Sequence, residues 1–158
     1  MAQREVNWLG AMEDDSSTKT VKIATQGSQP ASQESNRHVF MFWEKGRLPH
    51  NGDLVYEILH LVGPPRGLRF EHIAKSGGDD FKQRHQVAEL GDFTRAQRDQ
   101  IRTLAAKLPF NPVSAVNDCR AWLHDLINAM VEDSVVRLSP AKRQAALSKC
   151  HLPARMPE

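Results

Sequence analysis

Residues 37–74 read RHVFMFWEKGRLPHNGDLVYEILHLVGPPRGLRFEHIA. Three short runs of aromatic and β-branched residues lie in this stretch, separated by turn-forming Gly, Pro, Asn and Asp. RHVFMFW, followed by Glu44-Lys45-Gly46, predicts a strand and then a turn. LVYEILHLV, Leu54 to Val62, predicts a second strand, closed by Gly63-Pro64-Pro65. LRFEHIA, Leu68 to Ala74, alternates apolar and polar side chains, the mark of a half-buried third strand. A turn or loop is expected at SGGDD, residues 76–80, and Gln86 to Leu90 predicts a fourth, weaker strand.

After residue 93 the period changes from two to that of a helix. Thr94 with Gln97 has the spacing of a capping box, and Ile101, Leu104, Ala105 and Leu108 fall on one face before Pro109 stops the run. A loop, PFNPVSAVND, follows. Trp122, Leu123, Leu126, Ile127 and Met130 then form an apolar stripe on a second helix, Cys119 to Glu132. Ser139-Pro140 opens a third helix, Ala141 to about Lys149, with proline in the first turn, where its missing N–H is harmless. Strands followed by helices predict an α+β domain over residues 37–150, with an antiparallel four-stranded sheet and a helical part. Residues 1–36 read as a poorly ordered leader whose stretch Ala24 to Arg37 is a solvated linker, and residues 151–158 as a tail. The leader holds two small apolar islands, Val6 to Leu9 and Val21-Lys22-Ile23, either of which can dock as a short strand.

Composition narrows the function classes. The 158 residues suit one domain, and 40% apolar with 25% charged residues suit a globular core. Lys and Arg total 21 against 19 Asp and Glu, a net charge of +2, so charge alone points to neither nucleic acid nor a membrane surface. Arg137, Lys142, Arg143, Lys149 and Arg155 make the end of the chain basic, but few aromatics accompany them to stack on bases. No apolar run approaches the ~18 residues of a membrane span, and the N-terminus lacks the order of a secretory signal. Two cysteines, Cys119 and Cys150, build neither a disulfide framework nor, alone, a zinc site, so a reducing cytoplasmic setting is expected. No phosphate-cradling or dinucleotide fingerprint appears, and no cofactor is implied.

Cys119 is the most informative position. It follows Asn117 and Asp118, both good N-cap residues, and opens an amphipathic helix. Free N–H groups and the positive helix end favour a thiolate there and can serve an oxyanion. Asp118 opposes this, because a nearby carboxylate raises a thiol pKa. A small buried core cysteine is the competing explanation. A thiolate nucleophile needs a base, usually His. Of seven histidines, His50 and His85 lie in polar stretches, His151 adjoins Cys150 near the end, and His124 lies five residues past Cys119, roughly 500° round the helix. His38 and His60 lie inside apolar strands. His38 shares a face with Phe40 and Phe42, and His60 with Tyr56 and Ile58. In an antiparallel hairpin the start of the first strand meets the end of the second, which brings these two rings together. His72 on the third strand is the reserve candidate. A buried His satisfied by a backbone carbonyl is the structural alternative for each. A metal site from Cys119, His38 and His60 lacks an evident fourth ligand.

The segments RHVFMFW, EILHLVG and VNDCRAWLHDLI, in that order, resemble the circularly permuted papain-like fold of lecithin:retinol acyltransferases and permuted desumoylating isopeptidases. They are similar also to short fungal proteins carrying His-Trp-x-Leu-Phe, Ile-His-Val-x-Gly and Asn-Cys-Gln-x-Trp-Leu. The resemblance spans residues 37 to about 136. It implies Cys119 as nucleophile, His38 as general base, His60 as the second His that orients the first, and Trp122 as the aromatic that seats the helix. Val39 stands where that pattern has Trp, Asp118 where it has Asn, and Arg120 where it has Gln or Glu.

Two functional expectations follow. The first is a cysteine-dependent hydrolase or acyltransferase that acts through an acyl-enzyme on an ester, thioester or amide carbonyl. Its substrate would be a small molecule or an acyl or peptidyl group, including a biosynthetic intermediate. Asn117, Asp118, Arg120 and Tyr56 are the expected binding residues around Cys119, His38 and His60. The second is a catalytically inactive binding module on the same fold, using the 63–67 and 76–78 loops. An exposed sheet edge would allow a homodimer; neither nucleic acid nor membrane is an expected partner.

Overall fold

The computed structural model describes residues 6–26, 38–77 and 85–158. Most of the expected 24–37 linker and of the 76–80 turn lies outside the described residues. Five strands, β1 (Lys19–Gln26), β2 (Val39–Arg47), β3 (Leu54–Val62), β4 (Arg69–Gly77) and β5 (His85–Phe93), form one sheet in the order β4-β3-β2-β1-β5. Every neighbouring pair is antiparallel. Three helices follow, α1 (Arg95–Lys107), α2 (Cys119–Glu132) and α3 (Pro140–Lys149).

The α+β class holds, but the sheet has five strands where four were expected. The extra strand, β1, comes from the segment read as a poorly ordered leader. It sits between β2 and β5, hydrogen-bonded on both sides. Val21, Ile23 and Ala24 have no solvent exposure. Burying Val21 and Ile23 contributes roughly 1.5–3 kcal/mol each. The other island docks too: Trp8 N–H donates to Ala74 O at 2.7 Å, and Ala74 N–H donates to Asn7 Oδ1 at 3.0 Å. Two outward backbone groups of the edge strand β4 are thereby occupied, which blunts that edge at its centre.

The sheet is covered on both faces, so β2 and β3 read as nearly continuous apolar runs. Val39, Met41 and Trp43 of β2, with Leu59 and Leu61 of β3, face the helices and meet Ile101, Trp122, Leu126 and Met130. Phe40 and Phe42, with Tyr56 and Ile58, pack on the opposite face. No turn forms at Glu44–Gly46. A register shift there absorbs the extra residue, and β2 runs on to Arg47.

The helix ends follow local capping chemistry. The Thr94 side chain accepts from Gln97 N–H while the Gln97 side chain accepts from Thr94 N–H. Asp118 caps α2 by accepting from Arg120 N–H. Ser139 caps α3, with Pro140 in its first turn. Capping fixes where α2 starts, and so places Cys119 at its first residue.

Candidate active site

The site forms where β2 and α2 both begin. A cleft of about 490 Å³ is lined by His38, Leu68, Cys119, Arg120 and residues 114–118, among others. Its far wall is the β3–β4 turn. A Cβ on Gly63, at φ 111°, would stand 2.1 Å from Gly67 O, so only glycine closes this turn. The turn is bonded to the facing loop through Arg66 N–H to Ser114 O and Leu68 N–H to Pro112 O, at 3.2 and 2.9 Å.

Cys119 is partly exposed. Its sulfur meets the backbone amide of Val39, the residue after His38, and also its own amide. Burial pushes the thiol above its ordinary pKa. The Val39 amide opposes that, the Asp118 carboxylate adds to it, and Arg120 opposes it. The resting group is a neutral thiol, not the thiolate that a helix N-terminus alone would favour.

The two strand histidines meet. His38 Nε2 lies 2.8 Å from His60 Nδ1. The register pairs Met41 with Leu59; His60 is therefore opposite Phe40 and diagonal to His38 on one face. Burial holds the His60 pKa below its ordinary value, and Glu71 opposes that shift. The chain of contacts continues to Glu71 on β4, whose Oε1 lies 2.9 Å from His60 Nε2. Sequence reasoning missed Glu71. The available signal was LRFEHIA itself, whose one acidic residue the observed antiparallel register sets opposite His60.

The remaining candidates divide. Asp118 and Arg120 line the cleft and face each other, with Arg120 Nη2 at 3.3 Å from Asp118 Oδ2. Asn117 also borders the cleft, but its side chain is committed elsewhere. It donates to Met156 O at 2.8 Å and to Glu158 Oε1 at 2.6 Å, and it accepts from Met156 N–H at 2.7 Å. Glu158 also accepts from Ser114 Oγ at 2.6 Å. Met156 and Glu158 therefore strap the 111–117 loop in place, and the Asn117 side chain is the lock. Tyr56 is not at the site. It stands opposite Glu44 and Lys75, several residues along β3 from His60, and its ring packs on Phe42 with 1% exposure. His72, the reserve base, bonds Glu57 on the helix-covered face. His124 pairs with Asn128, and His50 and His151 are exposed. Trp122 is buried with its ring 5.7 Å from that of Phe70, which anchors α2 against β4. Cys150 is buried and its thiol is pushed up to about 11, which makes it inert.

Among the described residues, no group of three or more His, Cys, Asp and Glu side chains is arranged to hold a metal ion, and no helix is long and apolar enough to cross a membrane. Comparison of the chain with family models, with curated proteins and with solved structures finds no match.

Proposed function

We propose that this chain is a cysteine-dependent hydrolase or acyltransferase of the circularly permuted papain-like type, acting on an ester, thioester or amide carbonyl. The observation that carries the proposal is one cleft lined by both Cys119 and His38, with His38 backed by His60 at 2.8 Å. His38 takes the thiol proton as sulfur attacks the carbonyl carbon. The carbonyl oxygen becomes an oxyanion beside the Cys119 amide and the Arg120 guanidinium. Collapse breaks the bond to the leaving oxygen, sulfur or nitrogen, which receives the proton from His38. Water or an amine then attacks the thioester, gives its proton to His38, and regenerates the thiol as the acyl product departs. Because burial keeps the thiol neutral, deprotonation accompanies attack and no stored thiolate is needed. The cytoplasmic setting remains part of this reading, as does a small-molecule, acyl or peptidyl substrate.

Cys119→Ala abolishes turnover of p-nitrophenyl acetate and of an N-acetylcysteamine thioester while the folded spectrum stays unchanged; equal turnover by the variant ends the proposal. Asp118→Asn keeps a good cap and removes the carboxylate that raises the thiol pKa. Iodoacetamide alkylation of Cys119 at pH 7 therefore rises roughly threefold, the worth of about half a pKa unit. A lower rate in this variant contradicts the role assigned to the Asp118 charge.

The raised thiol favours a second reading, a non-catalytic binding module on the same fold. It predicts ordinary or absent alkylation at every pH, indifferent to His38→Ala. The enzyme predicts that His38→Ala slows alkylation near neutral pH.

A further inference from the structure

We infer that the groove walled by Arg66, Val113, Ala115, Val116 and Pro157 is a binding site for a small apolar carboxylate, whose hydrocarbon part lies on the two valines and whose charge pairs with Arg66.

The groove encloses about 500 Å³ and shares Ala115 and Val116 with the Cys119 cleft. That volume is in the range of small-molecule sites. Five large apolar side chains stand exposed among the described residues, and three of them, Val113, Val116 and Met156, belong to the two segments that meet here. Val113 is 64% and Val116 53% exposed. Single exposed apolar residues are ordinary, but several gathered at one cavity mark a surface that meets something apolar. A loose loop is not the cause of their exposure. Ser114 N–H donates to Asn111 O at 3.1 Å and Asn117 N–H to Ser114 Oγ at 2.9 Å, while Met156 and Glu158 hold the Asn117 side chain. The apolar wall is therefore ordered before a ligand arrives, which lowers the entropy lost on binding.

Two charged residues share this wall. Glu158 is taken up by Asn111 Nδ2, Ser114 Oγ and Asn117 Nδ2, each donating to it at 2.6 Å. The Arg66 side chain, also on the wall, makes no ion pair or hydrogen bond with the described residues. Its backbone is fixed nevertheless. Gly67 N–H donates to Pro64 O at 2.9 Å and closes a four-residue turn, in which Arg66 holds the third position at φ 66°. Turns favour Gly or Asn at such a left-handed position. Backbone preference does not account for arginine there; the place it gives a guanidinium on the groove wall does. Arg66 N–H, donating to Ser114 O at 3.2 Å, ties that place to the loop that carries the valines. A guanidinium with open donors beside ordered apolar surface is the complement of a carboxylate on a short hydrocarbon chain.

This site does not depend on Cys119 chemistry, so the test reads binding and not turnover. Methyl ¹³C spectra of the whole chain, titrated with sodium hexanoate, hexanamide and sodium acetate, report directly on Val113 and Val116. Hexanoate shifts both sets of methyls saturably. Hexanamide, equal in length and uncharged, binds about fivefold more weakly, the upper end of what an exposed ion pair supplies. Acetate, which has the charge without the chain, does not saturate over the same range. Arg66→Asn suits the left-handed backbone; it brings hexanoate down to the level of hexanamide and leaves hexanamide unchanged. Val116→Ser weakens both six-carbon ligands alike. Hexanoate and hexanamide binding the wild type equally, or no saturable shift of these methyls, overturns the inference without reference to any variant. Hexanoate binding that vanishes in Cys119→Ala also overturns it, by moving the ligand to the thiol. Turnover that survives Cys119→Ala removes the thiol reading and leaves this site untouched.

Discussion

Strands β3 and β4 carry two histidine–glutamate pairs with mirrored composition. His60 of β3 bonds Glu71 of β4, and Glu57 of β3 bonds His72 of β4; both contacts run through Nε2 at 2.9 Å. Residue parity places them on opposite faces of the sheet. What surrounds each pair separates their roles. Glu57 is fully buried and also receives Lys45 Nζ at 3.1 Å and Arg102 Nε at 2.5 Å. Arg102 in turn reaches Asp14 at 2.6 Å and lies over the Trp43 ring at 5.2 Å. These contacts on the Glu57 carboxylate serve the packing of α1 on the sheet. Glu71 keeps 31% of its side chain exposed, and its histidine leads onward to a second ring at a cleft. The same chemical pair can thus sit fully buried among close cations or half-exposed with only a distant one.

The largest expected effect tests the buried member. Glu57→Gln keeps the shape but leaves the buried Lys45 without its counter-charge and Arg102 with Asp14 and Asp99 alone. Breaking a buried pair this way costs about 3–5 kcal/mol, readable as a fall in the denaturant midpoint. A loss below about 1 kcal/mol would show that this pair is no more structural than its counterpart.

Acid sensitivity sharpens the same contrast. Burial by itself raises the Glu57 pKa, but hydrogen bonds from His72 and Arg102 and the charges of Arg102 and Lys45 outweigh it and hold the carboxyl well below the usual range. A depressed folded-state pKa contributes stability above the unfolded value. That contribution disappears as the pH falls from there toward the folded value. Wild type therefore loses stability progressively below about pH 5, and Glu57→Gln shows a shallower loss over the same interval. Asp14, whose pKa Arg98 and Arg102 lower against the opposing effect of burial, supplies part of the remaining slope. Denaturant midpoints collected from pH 6 to pH 3 check this, and parallel curves for the two proteins would contradict it.

Local signals in the sequence carried the helices and four of the five strands. Leu54–Val62 is the expected second strand to the residue, and the Thr94/Gln97 box and the start of α2 at Cys119 are where capping chemistry puts them. The hairpin argument also anticipated the meeting of His38 with His60, but α2 packs on the other face of the sheet from the one these rings share with Phe40. Features that depend on distant partners were not legible. β1 is a short apolar island flanked by polar residues, and only its pairing with β2 and β5 makes it a strand. Asn117 looked like a cap or a ligand because its true partners, residues 156–158, lie some forty positions away. Tyr56 shares a face with His60, but periodicity says nothing about how far along a strand the cleft extends. Glu57 lies inside an apolar run, LVYEILHLV, and nothing local reveals that Lys45, His72 and Arg102 converge on it.

The smallest expected effect is the most discriminating. Glu71→Leu should change folding stability by less than about 1 kcal/mol, although it removes a hydrogen bond of the same length as the one Glu57 makes to His72. The Glu71 carboxylate is partly solvated, and its second partner, Arg69, is 66% exposed at 3.7 Å, a geometry in which solvent screens most of the attraction. A pair of double-mutant cycles isolates the comparison from packing losses. His60→Ala with Glu71→Leu should give a coupling energy under about 1 kcal/mol. His72→Ala with Glu57→Gln should give a larger one, because its carboxylate has no water to fall back on. Equal couplings would mean that burial does not distinguish the two pairs.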